Sequence, residues 1–429
     1  MASDGFLRKV GKAIHGLSVK PFKLGAEAGS LAIAAARAGA GPARPPVVQP
    51  GGETKAAAAD RAAAGKPKPT IDLAEALREA AAISGKPVGR MLREIVALRR
   101  GPGRLTAQEY FYYRLYDDRH TDAERQAFRG HAAQTRIYER TSPRRWWLLA
   151  HDKLLFHAVA QGLGYPTPEI LAVYPPARAF GRVPSPRDAA ELADLLRGGM
   201  RYPCFAKPVR GMFSHGAHAI MAFDQASDAL RFWNGSTMDL ATFSSSLDPR
   251  TDGGYVFQAL QAPHPAIAAV CGPRLATVRL VVALRPSGPM VLRALWKVPA
   301  GANIADNFWR PGNILCALDP QTGRVLRAVR GYGLALEEPE LHPDSGARLL
   351  GFTLPGWHEL VALTLDAARS FAPLRFQAWD VAMCPDGPLL VELNVGGDFD
   401  LPQLATDRGI MDKEFAAFLA ECDRDAVPI

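Results

Sequence analysis

Long apolar runs are missing from this 429-residue sequence. Its hydrophobic stretches are short or interrupted by Arg, Gly and Pro, so none reaches the roughly 20 residues that a membrane-spanning helix requires. Cysteine is scarce, with only Cys204, Cys271, Cys316, Cys384 and Cys422. Their odd number, their scatter and the lack of any C-x-x-C spacing exclude a disulfide frame and a cysteine zinc site. They read as reduced thiols of a cytosolic protein. Charge near Met1 interrupts any apolar core of a signal peptide, and no internal repeat is visible. The bulk of the chain also lacks excess charge. The net charge is +8, yet residues 1–69 hold 11 Lys and Arg against 4 Asp and Glu, leaving 40 against 39 for the remainder. A nearly neutral body argues against a nucleic-acid-binding surface there. A composition of 48% hydrophobic and 22% charged residues is that of a soluble globular enzyme. The length predicts two or three folded units.

What is present divides into four stretches. Residues 1–38 are basic, and within 5–24 Phe6, Leu7, Val10, Ile14 and Leu17 share one helical face, with Arg8, Lys9 and Lys12 mainly off it. Such a helix could lie on an anionic membrane surface, placing a cytoplasmic protein peripherally at the inner membrane face. Docking on its own protein, or a disordered tail, is the alternative. Residues 39–69, rich in Ala, Pro, Gly and Lys, read as a linker. Residues 70–150 read as a helical region that opens at an Asp72–Glu75 capping pattern. Its aromatic run Glu109–Asp118, EYFYYRLYDD, reads as core. From 151 to 429 the texture is α+β, with strand-like runs such as YPCFAKPV, LATVRLVVAL and MVLRALWKV and helical patterns at about 186–197 and 357–371.

Three segments carry chemistry. In FQAWDVAMCPDGPLLVELN, two strands flank a PDGP turn. Glu392 and Asn394 are two apart and so share a face, and the hairpin can bring Asp380 beside them. Two carboxylates and an amide oxygen suit Mg²⁺, a hard ion, with Mn²⁺ as the alternative. A solvent-facing polar stripe is the plain alternative, but both carboxylates are embedded in apolar sequence, where an unpaired one is costly to bury. In PCFAKPVRGMFSHGAHAI a strand ends in Lys207, before a loop with Gly211, Ser214, His215 and Gly216. That loop could cover a phosphate while Lys207 reaches it. In HDKLLFHAVAQGLGYPTPEI, Asp152 and Lys153 open an amphipathic helix.

Taken in order, from about Ala150 to Gln403, these segments resemble the ATP-grasp superfamily. The resemblance implies two α+β subdomains sandwiching ATP. Lys153 and Lys207 then hold phosphates, and Asp380, Glu392 and Asn394 hold the metal. The segments KVPAGANIADNFWRPGN, LHPDSG, TLPGWHELV and VELNVGGDFDLPQLA narrow the resemblance to the sugar-transfer-associated ATP-grasp family, related to alpha-L-glutamate ligases. That family is tied to tailoring of cell-envelope polysaccharide or peptide. The sequence departs from the pattern at the hinge, YVFQALQAPHPAI, where many relatives carry Glu. Here Gln258 is expected to meet adenine, and Gln261 or His264 the ribose.

The implied reaction is a carboxylate–amine ligation through an acyl-phosphate. Arg279, a cation within a strand pattern, needs an anion if buried, and the γ-phosphate or a structural carboxylate could serve. Asn307 is expected beside metal and phosphate, or in a turn. His215 and His218 are candidate bases. Gly396, Gly397, Asp398 and Gln403 could line an acceptor pocket. A kinase-like phosphotransferase and a non-catalytic nucleotide-binding scaffold are the alternatives.

Overall fold

The computed structural model describes residues 71–175, 180–211, 216–248 and 253–424. Residues 5–24, Ser214 and His215 lie outside the described residues. Among the described residues, no helix is long and apolar enough to cross a membrane.

Twelve strands form two six-stranded sheets, antiparallel throughout. The first sheet contains β1 (Ile170–Tyr174), β2 (Cys204–Pro208), β3 (His218–Asp224), β4 (Ala229–Phe232), β5 (Thr237–Asp239) and β6 (Tyr255–Ala259). Its strand order is β1-β6-β2-β3-β4-β5. The second contains β7 (Val278–Arg285), β8 (Gly288–Val298), β9 (Ile314–Leu318), β10 (Val325–Arg330), β11 (Phe376–Cys384) and β12 (Gly387–Val395). Its order is β10-β9-β8-β7-β11-β12. The expected α+β architecture and helical N-terminal region are both present.

The period of two decides what the second sheet shows on each face. On β11, Trp379, Val381 and Met383 join one core with Leu360, Ala367 and Phe371 around the helix Trp357–Ser370. Phe376 and Ala378 point the other way, into a core with Phe399, Phe415 and Phe418 beside the helix Lys413–Arg424. Asp380 continues the Phe376–Ala378 row. On β7, Arg279 belongs with Val281 and Ala283, which enter that second core. The alternation therefore delivers Arg279 and Asp380 to one face of a sheet that is apolar on both sides.

The N-terminal helices rest on the same sheet. Asp72 caps the helix Leu73–Ser84 by accepting the Glu75 amide at 2.9 Å. Reciprocal capping boxes start two later helices, at Thr106–Glu109 and Thr121–Glu124. Tyr110, Phe111, Tyr112, Tyr113 and Tyr116 are buried in one core with Leu295, Leu315, Ala317 and Val329 of β8–β10. The aromatic run is thus core, as its sequence suggests.

Candidate active site

Three strands place a row of charges. Arg279 pairs in register with Asp380, and Asp380 with Glu392, so positive, negative and negative side chains lie side by side across β7, β11 and β12. Arg279 donates to both oxygens of Asp380, Nε to Oδ1 at 2.8 Å and Nη2 to Oδ2 at 2.7 Å. Lys297 of β8 adds a third bond, Nζ to Oδ2 at 3.1 Å, and lies 3.5 Å from Asp306. Asp306 in turn accepts the amide and hydroxyl of Thr277. Burial would raise the Asp380 pKa, but Arg279 and Lys297 outweigh it and hold the carboxyl well below the usual range. Burial likewise opposes the charge on Arg279, while Asp380, Glu392 and Asp398 hold it firmly protonated.

Two lysines reach this row from the side of the first sheet. Asp152 caps the helix Lys153–Gly162 by accepting the Leu155 amide at 3.1 Å. That cap sets Lys153 at the helix start, where its Nζ lies 3.3 Å from Glu392 Oε1 and donates to the Gly211 carbonyl at 2.7 Å. Lys207, at the end of β2, is half-buried, and its pKa is pushed down to about 8. Burial is the main cause; attraction by Glu392 and Asp380 opposes it, and repulsion by Lys153 adds to it. Lys153, Lys207, Arg279 and Lys297 thus gather around Asp380 and Glu392. Such a cluster suits a polyanion.

The exit of β12 is held by close approaches. Gly396 (φ 63°) and Gly397 (φ 74°) both adopt left-handed backbone. A Cβ at Gly396 would collide with the Tyr138 ring, and one at Gly397 with Ala378 Cβ, so no other residue fits there.

The remaining candidates are dispersed. Gln258 is buried, its Nε2 2.7 Å from His157 Nε2. Burial, then Lys207 and Lys153, push the His157 pKa down to about 3, so the ring is neutral. Gln261 donates to the Ala259 carbonyl at 3.1 Å, and half-buried His264 caps the helix Pro265–Cys271. Asn307 accepts the Trp309 amide at 3.2 Å, an arrangement typical of a turn. The His218 ring packs on Phe232 and Phe243. Gly216 closes the far side of the phosphate-type loop at φ 65°. Asp398 accepts the Trp309 indole N–H at 3.3 Å. Gln403 lines a small hollow with Tyr113, Arg327 and Asp407. It is fully buried and bridges Arg129, accepting its amide at 2.8 Å and donating to its carbonyl at 3.0 Å.

Lys297, Asp306 and His157 are additions that sequence reading did not single out. For Lys297 a signal existed: it is a cation inside the apolar run of β8, as Arg279 is inside β7.

The donor set fits a hard divalent ion. Glu392 and Asn394 supply oxygens from one face of β12, and Asp380 keeps one of its four lone-pair sites after Arg279 and Lys297 take three. Asn394 Nδ2 is buried with no hydrogen-bond partner among the described residues, a donor that an anionic oxygen, not the cation, would satisfy.

The profile of the sugar-transfer associated ATP-grasp family matches residues 132–417, well over half of the chain. The chain belongs to this family. The matched segment spans every candidate site residue named above, including the two outside the described residues. Solved ATP-grasp structures also resemble it, at low identity. They include an L-amino acid ligase from Bacillus licheniformis (11% identity, 61% of this chain, 48% of that one, TM-score 0.32). A biotin carboxylase from Campylobacter jejuni is similar (11% identity, 66% and 48% covered, TM-score 0.38). So is the VanG D-Ala:D-Ser ligase from Enterococcus faecalis (12% identity, 65% and 62% covered, TM-score 0.36). The chain thus spans about half to three-fifths of the length of these structures. No curated protein matches it in sequence.

Proposed function

We propose that the chain is an ATP-dependent ligase that joins a carboxylate to an amine through an acyl-phosphate. One observation carries the reading. Lys153 and Lys207 approach the same carboxylate, Glu392, from the opposite side of the cleft, beside the buried Arg279–Asp380 pair. A family built around ATP accounts for lysines gathered from two elements beside one carboxylate.

In this reading Lys153 and Lys207 neutralise the nucleotide phosphates, and the loop that carries Gly211 and Gly216 covers them. Mg²⁺, held by Glu392, Asn394 and the free lone pair of Asp380, would lower the charge repulsion between phosphates and the attacking oxygen. A substrate carboxylate oxygen attacks the γ-phosphorus in line, and the bond to the β–γ bridging oxygen breaks to release ADP. Arg279 stabilises the negative charge spread over the transferring group, since this chemistry is chiefly positioning and electrostatics. The amine nitrogen then attacks the acyl carbon and expels phosphate. The proton lost by the amine passes to solvent or phosphate; no side chain is assigned as base. The family's association with sugar transfer supports substrates drawn from envelope polysaccharide or peptide.

The test is trapping. The protein is incubated with Mg-ATP, panels of carboxylic acids and hydroxylamine, and the products are read by mass spectrometry. The expected result is ADP together with a hydroxamate. ADP formed with a sugar or alcohol alone, with phosphate retained on the product, would establish a phosphotransferase instead.

A further inference from the structure

A second cationic site lies away from the nucleotide cleft. A hollow of about 220 Å³ opens between the helices His131–Thr141 and Lys413–Arg424 and the turn at Pro102. Arg104, Arg129, Arg136 and Arg140 line it, and no acidic side chain does. Its floor is apolar, made by Ala133, Ile137, Met411 and Leu419.

The charges are unevenly neutralised. Arg140 is paired with Asp423. Arg104, Arg129 and Arg136 have no carboxylate partner among the described residues. Arg129 is 7% exposed, and its Nη1 donates only to the carbonyls of Gln126 and Phe128, at 2.7 and 3.0 Å. Burial lowers its pKa with no anion to offset the effect. A buried charge without a counter-ion is costly, and like charges around one hollow add to the cost. Arg104 sits at φ 50°, a conformation that a side chain with a Cβ adopts only at a cost. Guanidinium groups match phosphate oxygens in forked pairs.

We propose that this hollow binds a phosphomonoester whose remaining part is apolar, with the phosphate held by Arg104, Arg129 and Arg136 and the apolar part on Ile137 and Leu419. The ester could be a free small molecule or a lipid headgroup. The helix His131–Thr141 also carries Gln134, which accepts the Phe399 amide at 2.7 Å, and Tyr138, whose hydroxyl accepts the Asp398 amide at 2.9 Å. The helix that walls the hollow thus also holds the segment that leaves Asn394.

The test uses the full chain, phenyl phosphate as probe, and calorimetry. Arg104 and Arg136 are exposed and unpaired, so R104Q/R136Q keeps the fold. The expected result is saturable binding that this variant weakens about tenfold or more, the worth of a charged hydrogen bond, and that Lys207→Met leaves intact. Equal binding by R104Q/R136Q and the native chain would overturn the proposal. So would loss in the Lys207→Met variant alone, which would put the probe in the nucleotide cleft, or inorganic phosphate binding as tightly as phenyl phosphate. Vesicles of phosphatidic acid in phosphatidylcholine separate the sources. Vesicle binding lost in R104Q/R136Q assigns a headgroup. Vesicle binding equal in the two proteins, with phenyl phosphate lost, assigns a free ester.

Discussion

Arg279 grips both carboxylate oxygens of Asp380 across neighbouring strands, and Lys297 takes a third position on the same carboxylate. The pair is buried, with side chains 12% and 4% exposed. It is therefore a structural element of the sheet as well as a candidate part of the chemistry.

Replacing Arg279 with Met leaves Asp380 buried with one fewer counter-charge. The expected loss is about 3–5 kcal/mol of folding stability, as for other broken buried pairs, read by urea denaturation. A loss below about 1 kcal/mol would place the pair with exposed bridges. Because the folded-state pKa of Asp380 is lowered, the pair's contribution is fully present at neutral pH. It is lost as the pH falls below the ordinary carboxylate range.

Lys207 predicts a pH dependence for nucleotide binding. Its pKa of about 8 in the free protein means that it loses its proton, and its attraction for phosphate, as the pH rises through 8. ATP affinity should therefore fall above pH 8, and Lys207→Arg should flatten the profile. Lys207→Met should cost about 1.5–3 kcal/mol of affinity below pH 8, the worth of a charged hydrogen bond. Calorimetry on either side of pH 8 checks both, and unchanged affinity in the Met variant refutes the role.

Glu392→Ala should abolish ATP turnover while leaving the melting transition in place. Glu392 is partly exposed, and Lys153 keeps the Gly211 carbonyl as partner when the carboxylate is gone. ADP release and a thermal melt on the same sample measure the two effects. Turnover near the native rate would remove Glu392 from the site.

Gln403→Leu should destabilise the fold without a direct effect on chemistry. Its amide satisfies the Arg129 amide and carbonyl and the Ile410 amide, all buried. Each unsatisfied group costs about 1–3 kcal/mol. The expected signature is a lower melting temperature with nucleotide affinity unchanged at temperatures where the variant is folded.

The Asp380–Glu392 hairpin was legible because its cues are local. Alternation puts Glu392 and Asn394 on one face, and the PDGP turn sets the register that pairs Asp380 with Glu392. Lys153 was legible for a similar reason, since a capping Asp152 marks the helix start that aims it. The partners of Gln258 and Gln403 were not legible. Gln258 meets His157, 101 positions away, and Gln403 meets Arg129, 274 positions away. A polar residue in an apolar run announces that it needs a partner, but its sequence neighbourhood does not say which. The arginine hollow was hidden in the same way, because Arg104, Arg129 and the 136–140 turn converge only once the helices pack.

Residues 1–69 are predicted to be dispensable for nucleotide binding, because their composition sets them apart from the body. A chain beginning at Thr70 should remain soluble and bind ATP, as gel filtration and calorimetry would show. Aggregation of that fragment would make the tail part of the core.

The place where the N-terminal helices meet the second sheet also sets how far trimming can go. Tyr110, Phe111, Tyr112, Tyr113 and Tyr116 roof over Leu295, Leu315, Ala317 and Val329. A fragment cut to residues 132–417 would keep every candidate ATP-site residue but strip away that roof. The bared wall would be a contiguous apolar patch of the kind that drives self-association. The smallest well-behaved unit is thus expected to be longer than the segment that matches the family, and the helices ahead of it act as a built-in cover for the second sheet.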